Sequence, residues 1–285
     1  YHKLKKEGNK ANRKVRQLRK KEAEELGEDA PKPVQRTLDN TREPDETLVE
    51  PGDEEVAAED SFDEFSGHFS GTVQPRTVIT TGRYPSEQLL TFMEEMLGMI
   101  PNSEYRKRGA IPLKQVISAS AKAGFTNLLV FTEKAKKPQT LWFVKLPFGP
   151  TARFKLTTLV LPKQLSAHGR ATGHRPELIL NNFSTRIGHR LGRMLACLFP
   201  HDPQFRGRQV VTMHNQRDFV FFRHHRYVFE QPEKGAEVTA RLQELGPRFT
   251  LKLKSLQFGT FDTQHGEYEW KHKPDLDTSR RRFHV

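Results

Sequence analysis

An internal repeat is the feature that most constrains the fold of this 285-residue chain. Residues 77–101 read TVITTGRYPSEQLLTFMEEMLGMIP, and residues 177–200 read ELILNNFSTRIGHRLGRMLACLFP. Each copy predicts a short apolar strand, a polar turn and an amphipathic helix that ends at a proline. A shift of 99 positions aligns apolar residues of the two helices, namely Phe92 with Leu191, Met96 with Leu195 and Ile100 with Phe199. The chain is therefore predicted to contain two related α/β halves.

A second pair of segments supports the duplication. Residues 149–161 read GPTARFKLTTLVL, and residues 246–258 read GPRFTLKLKSLQF. In both, a Gly-Pro pair precedes Arg-Phe and then an alternation of polar and apolar residues, which is typical of a half-buried strand. Because both pairs of motifs occur in the same order, each half is predicted to end in such a strand.

The intervening segments predict the remaining elements. A helix is expected over residues 112–123, and strands rich in β-branched and aromatic residues are expected over 127–132, 141–146, 209–214 and 219–229. The predicted fold class is α/β, with one domain at residues 76–261. Its first half spans residues 76–165 and its second half spans residues 177–261.

Three segments outside this domain have a different composition. Residues 1–26 form a basic tail with sparse apolar residues, predicted to become helical on binding, and residues 262–285 form a basic C-terminal extension. Residues 27–75 are acidic and rich in proline, as in a linker. Their acids either screen a basic surface or keep the tail soluble, and solubility is the default expectation. Phe62, Phe65 and Phe69 are expected to anchor on a partner or on the chain's own domain.

The charge distribution indicates a polyanionic partner. The chain carries a net charge of +12, yet residues 39–64 hold 12 acids and one base. The rest therefore carries +23, from 46 bases and 23 acids. A field of this sign attracts nucleic acid.

The two repeated helices differ in charge. Four cations of the second helix share one face, because they recur at helical spacing: Arg186, His189, Arg190 and Arg193. The first helix carries Glu87, Glu94 and Glu95 instead. The second helix is predicted to contact phosphates, although the same pattern also fits an ordinary solvated face.

A basic strand and a basic tail add further candidates for RNA binding. Arg248, Lys252 and Lys254 lie on the face opposite the apolar residues of their strand, where they either follow a phosphate backbone or guard a sheet edge. The C-terminal tail contributes Arg280, Arg281 and Arg282. This tail either binds RNA by charge and stacking or packs on the domain through Trp270 and Phe283.

Motifs for catalysis or metal binding do not stand out in the sequence. Cys197 is the only cysteine, and the histidines lack H-E-x-x-H spacing. The patterns G-x-x-x-x-G-K-[ST] and G-x-S-x-G do not occur. The longest apolar stretches, such as residues 194–199, are too short to span a bilayer. We therefore expect neither catalytic residues nor a metal, a cofactor or a membrane partner.

Several segments together resemble the Brix-domain family. They are GPTARFKL at residues 149–156, the stretch from LILNNFSTRIG to RHHRYVF at 178–229, and ELGPRFTLKLKSLQFGTF at 244–261. The resemblance covers about residues 76–261. Residues 201–229 and the ending DTSRRRFHV are most similar to family members that act as large-subunit assembly factors.

The resemblance implies two halves related to the anticodon-binding domain of certain tRNA synthetases. It also implies a nucleolar, and thus nuclear, protein that binds precursor ribosomal RNA. Its implied partners in the pre-ribosome are another assembly factor, bound as a heterodimer, and ribosomal proteins. In family terms, residues 246–259 are the RNA-binding signature, and no catalytic centre is implied. A small-subunit factor of the same family, an RNA nuclease and a pure protein scaffold are the alternatives.

Overall fold

The computed structural model describes residues 13–14, 17, 35, 37–43, 45–50, 52–230, 239–262, 265–276 and 281–285. The chain divides into two units, Tyr1–Arg42 and Glu43–Val285. In the first unit, Arg13, Lys14 and Gln17 are helical and exposed. Helix α1 (Leu38–Thr41) follows, and the side chains of Thr37 and Asn40 bond each other's backbone N–H. The remainder of the predicted tail at residues 1–26 lies outside the described residues.

The second unit combines helices with one large sheet. Its helices are α2 (Glu54–Phe62), α3 (Ser66–Phe69), α4 (Glu87–Met99), α5 (Leu113–Lys122) and α6 (Arg186–Ala196). Its strands are β1 (Thr77–Thr81), β2 (Ser103–Tyr105), β3 (Asn127–Lys134), β4 (Lys137–Lys145), β5 (Thr151–Val160), β6 (Glu177–Asn181), β7 (Gln209–Gln216), β8 (Phe219–Glu230), β9 (Thr239–Glu244), β10 (Arg248–Gln257) and β11 (Tyr268–Lys271). Short 3₁₀ turns occur at Pro162–Gln164, Phe205–Gly207 and Pro274–Leu276.

The sheet joins two similar halves through its central pair of strands. The strand order is β2-β1-β3-β4-β5-β10-β8-β7-β6, with β9 and β11 attached to β8 and β10. Strands β5 and β10 pair antiparallel at the centre. Outward from them, β4, β3 and β1 in the first half correspond to β8, β7 and β6 in the second. The pairs β1–β3 and β6–β7 are both parallel, so the predicted duplication is confirmed.

The duplication extends to the start of the two repeated helices. Ser86 and Thr185 are 99 positions apart, and their hydroxyl groups accept hydrogen bonds from the N–H groups of Leu89 and Gly188, respectively. These bonds satisfy backbone donors that the first turn of a helix leaves open. The apolar pairs that the repeat aligns are all buried, which places α4 and α6 on the same core.

Two cores lie on opposite faces of the sheet. The larger one holds α4 and α6 against alternate residues of both halves, such as Phe154 and Phe249. The smaller one lies under α5 and includes Leu128 and Val130, which point away from the larger core. No described helix of the second half takes the position of α5. The face of β8 and β10 therefore remains accessible, as the 38% exposure of Phe219 shows.

The predicted elements recur with small shifts at their ends, but three short strands were missed. Strand β2 has three residues and β11 has four, and β9 is largely exposed, so none carries an apolar pattern. Tertiary pairing with a longer neighbour defines each of them, and a sequence pattern cannot report such pairing.

Glycine is required where the repeated Gly-Pro motif approaches another backbone. Gly149 has φ +105°, and a Cβ there would lie 2.2 Å from the carbonyl carbon of Gly259. Its counterpart Gly246 has φ +76°. Only glycine adopts such angles without strain and admits such a contact. The motif thus fixes the start of both central strands.

Part of the acidic segment predicted as a linker is folded. Asp53 caps α2, and Phe65, which follows α2, is fully buried in the larger core. Phe65 therefore anchors on the chain's own domain, whereas Phe62 is 91% exposed and Phe69 is 38% exposed. An apolar period fails to reveal α2 because Val56 is its one buried residue.

We predict that Thr185→Val destabilises the second unit by about 1–2 kcal/mol, because a buried cap is lost. The Thr185 hydroxyl accepts from Gly188 and donates to the carbonyl of His284 at 2.9 Å. Urea unfolding measures the change. Thr185→Ser keeps both bonds and serves as the control, and an equal loss of stability in the two variants would contradict the cap.

Candidate nucleic-acid interface

The cationic face of α6 is covered by carboxylates of the chain's own acidic segment. Ion pairs join Arg186 to Glu55 at 2.5 Å, Arg190 to Glu64 at 3.0 Å and Arg193 to Asp63 at 2.7 Å, and a hydrogen bond joins His189 to Asp60 at 2.9 Å. The four predicted cations are therefore brought together as expected, but they do not form an ordinary solvated face. The acidic residues 55–64 screen a basic surface, so the default interpretation of solubility was wrong for them.

The ion pairs differ in burial along the helix. The side chains of Arg193 and Asp63 are only 12% and 9% exposed, and the Arg193 guanidinium also stacks 4.1 Å from the Phe69 ring centroid. At the other end, Arg186 and Glu55 are 45% and 66% exposed. Arg193 thus has a structural role, whereas Arg186 lies at the open end of the contact.

Arg190 lies between these extremes and has two acidic partners. It donates to Glu64 and, at 2.8 Å, to Glu269 just before Trp270 on β11. Burial by itself lowers the pKa of Arg190, but Glu269 and Glu64 raise it above its ordinary value. This cation is therefore held charged between two segments that lie far apart in the sequence.

The basic row on β10 lies at the centre of the sheet. Strand β10 pairs with β5 on one side and with β8 and β11 on the other, so the alternative of a guarded edge strand was wrong. Arg248 lies 3.5 Å from Glu244, the Lys254 ammonium contacts His272, and the Lys252 ammonium lies 5.1 Å from the Phe219 ring centroid. Of the three, Lys252 is directly opposite another cation, Lys155 on β5.

Lys252 belongs to a group of cations and aromatic rings that we call the open sheet face. Its members are Trp142, Arg153, Lys155, Phe219, Phe221, Arg223 and Lys252. Strand register places them on the side of the sheet away from α4 and α6. Arg153 lies 5.2 Å from the ring centroid of Trp142, and Arg223 lies 5.7 Å from that of Phe221. Arg153 and Lys155 are exposed.

Most of this face was not predicted from the sequence, because the predicted basic strand lay in the second copy of the repeat alone. Arg153 and Lys155 alternate with Phe154 and Leu156, as Lys252 alternates with its apolar neighbours. The same period-two pattern was present in both copies. What the pattern lacks is the antiparallel register that brings the two basic rows side by side.

The C-terminal tail packs on the domain. Phe283 and Val285 are buried, and the side chain of Asp218 accepts hydrogen bonds from the N–H groups of His284 and Val285. Arg281 and Arg282 are exposed, and Arg280 lies outside the described residues. The packing interpretation is thus confirmed for the tail's last residues. RNA binding by its arginines stays a prediction.

Comparison with known proteins decides the family. A model of the Brix domain matches residues 82–255, more than half of the chain. The chain belongs to the Brix family. Ribosome production factor 1 of Pongo abelii is 51% identical to this Brix protein over 269 residues, covering 93% of this chain and 76% of the relative.

A more distant relative and a solved structure complete the comparison. Probable ribosome production factor 1 of Drosophila melanogaster is 41% identical over 290 residues, covering 99% of this Brix protein and 71% of the relative. The crystal structure of a probable ribosomal biogenesis protein from Aeropyrum pernix K1 is 14% identical with a TM-score of 0.43. It covers 70% of this chain and 99% of its own.

Metal-binding and membrane-spanning features are absent from the part of this Brix protein that the structure describes. There, no group of three or more His, Cys, Asp or Glu side chains is arranged to hold a metal ion. His224 is buried between the Gly246 carbonyl and Gln209, while His225 lies on the other face. Within the same residues, every helix is too short or too polar to cross a membrane.

Two histidines whose rings are in contact, the buried His68 and the exposed His201, join the acidic segment to the second half. The His68 ring lies 4.3 Å from the His201 ring, and the His68 carbonyl accepts a hydrogen bond from His201. Burial, with help from the nearby His201, lowers the pKa of His68 to about 4. His68 therefore stays neutral in the fold at neutral pH.

We predict that His68 makes stability fall in acid. Between its unfolded pKa of 6.5 and about 4, the unfolded chain binds a proton that the fold does not. The free energy of unfolding should thus decrease by up to about 1.4 kcal/mol per pH unit on acidification through this window. Urea titrations of His68→Phe should show a shallower decrease. The exposed His265→Phe is the control, and equal slopes in the two variants would refute the assignment.

Proposed function

We propose that this Brix protein is a non-catalytic ribosome biogenesis factor that binds precursor ribosomal RNA. We further propose that it acts in the nucleolus, on precursors of the large subunit, with another assembly factor as a heterodimer and with ribosomal proteins. Membership of the Brix family and the names of its relatives support the biogenesis role. The net charge of +12 supports a polyanionic partner.

The open sheet face is the observation that carries RNA binding. Lys155 and Lys252 sit side by side on the two central strands, so a phosphate backbone crossing β5 and β10 could contact both cations. Contacts of this kind give affinity without reading sequence. The aromatic rings beside them, Phe219 above all, offer surfaces on which unpaired bases can stack.

The other predicted cations are expected to contribute less to RNA binding. Arg281 and Arg282 remain candidate phosphate contacts on the exposed part of the tail. Arg248 and Lys254 lie on the same strand as Lys252, although each already contacts a side chain of this chain. Because Lys252 lies directly opposite Lys155 on the two central strands, we assign the main contribution to these two lysines and a smaller one to the other cations.

We predict that Lys155→Glu combined with Lys252→Glu weakens binding of a single-stranded oligouridylate by about 10–100-fold near 0.1 M salt. The loss of two phosphate contacts should also reduce the slope of log affinity against log salt by up to about 1.4. Fluorescence anisotropy across a salt series measures both quantities.

A charge-matched variant separates this site from net charge. Lys134→Glu combined with Lys137→Glu changes two exposed lysines at the turn of the β3–β4 hairpin, which are not members of the open sheet face. It should weaken binding much less. If both double variants behave alike, the open sheet face is not the RNA-binding surface.

Two further experiments address the alternative functions. Cleavage of precursor RNA by the purified protein with a divalent metal, in proportion to protein concentration, would favour a nuclease. Purification of the tagged protein should recover precursors of the large subunit. Recovery of small-subunit precursors alone would favour a small-subunit factor of the same family. An affinity for RNA that does not respond to salt would indicate a protein scaffold.

A further inference from the structure

Helix α2 lies between two attachments to the rest of the unit. Before it, the Val49 N–H donates to the Ser184 carbonyl and the Arg186 N–H donates to the Thr47 carbonyl. Beyond its C-terminal end, Asp63 forms the buried ion pair with Arg193, and Phe65 is fully buried. Towards its N-terminal end, the half-exposed pair of Glu55 with Arg186 holds it, followed by Asp60, which contacts both His189 and Arg193. An exposed ion pair stabilises a fold much less than the loss of one partner of a buried pair destabilises it.

The contact between α2 and α6 is also incompletely packed. A cleft of about 620 Å³ is lined by residues of both helices and by Phe258. Phe258 is 49% exposed, and Phe62 at the end of α2 is 91% exposed. All residues of α2 are described, and among them only Val56 has a buried side chain. Electrostatic attraction rather than apolar burial therefore holds α2 in place.

Carboxylates that are held mainly by electrostatic attraction can be replaced by another anion. Two carboxylates of α2, those of Glu55 and Asp60, accept hydrogen bonds from side chains of α6, and a phosphate oxygen accepts the same bonds with comparable strength. Exposed ion pairs weaken in salt because mobile ions screen them. Helix α2 can thus be displaced while the backbone pairing of Thr47–Val49 on one side, and Asp63 and Phe65 on the other, keep the segment attached.

We propose that Arg186 and His189 form a second RNA-binding surface, which α2 covers as an internal competitor until RNA displaces it. The inference rests on the proposed function, since it assumes that RNA first binds elsewhere on the chain. The exposed ring of Phe258 beside the cleft favours RNA over an acidic protein segment, because a base can stack on it while phosphates contact the cations. The chain then binds RNA more tightly once α2 has moved.

Neutralising the displaced carboxylates tests the competition. We expect Glu55→Gln combined with Asp60→Asn to raise the affinity for a single-stranded oligouridylate by about 3–10-fold near 0.1 M salt, since two more phosphate contacts become available. Glu50→Gln combined with Glu54→Gln is the matched control. It changes the net charge equally at two exposed residues for which the structure shows no ion pair within the described chain.

Removing the side chains that the carboxylates cover tests whether they cause the gain in affinity. Adding Arg186→Gln and His189→Gln to the neutralised variant should return the affinity to that of the unaltered protein. The proposal is overturned if the gain survives these changes, or if the control variant gains as much. Thermal unfolding of each variant verifies that the Phe65 anchor still holds the fold.

Failure of the proposed function gives a different result. If the unaltered protein, the control variant and the neutralised variant all fail to bind the oligouridylate, RNA binding itself is wrong. If all three bind with the same affinity, RNA binding stands and α2 is a permanent part of the fold. The two ideas are therefore separated in one set of titrations.

Discussion

The antiparallel pairing of β5 with β10 is the interaction on which the rest of the structure depends. It is the contact that turns two α/β halves into one continuous sheet, and it places α4 and α6 together over a single large core. The same register sets Lys155 opposite Lys252 on the other side of the sheet. A shift of one residue would exchange the two faces, so packing and the proposed binding surface are fixed by the same ladder.

Much of the fold could be predicted because the duplication presents each strand and helix pattern twice in the sequence. The strands and helices found by pattern recur in the structure, and even the caps Ser86 and Thr185 keep the spacing of the repeat. Strands such as β9 were missed because their position depends on a neighbouring strand rather than on their own apolar residues. Helix α2 was hidden for a related reason, since ion pairs rather than an apolar stripe attach it.

The candidate site was predicted less well than the fold, and for a physical reason. Composition identifies cations but not the carboxylates that fold onto them, so Arg186 and Arg193 looked alike in sequence. In the structure, Arg193 is buried against Asp63 and Arg186 lies at an open end. Conversely, Arg153 and Lys155 were overlooked because a contact between the two halves gives them their partners. Electrostatic surfaces of this kind arise from contacts between segments that are distant in the sequence, and a sequence pattern does not contain those contacts.

RNA and the acidic helix α2 are proposed to compete for the same side chains of α6 in this Brix protein. Hydrogen exchange of the intact chain, with and without a single-stranded oligouridylate, tests this competition most directly. If they compete, the amides of Glu54–Phe62 exchange faster when RNA is bound, while those of Ser66–Phe69 keep their protection. If RNA binds and the amides of Glu54–Phe62 keep or gain protection, α2 is not displaced and the claim is contradicted.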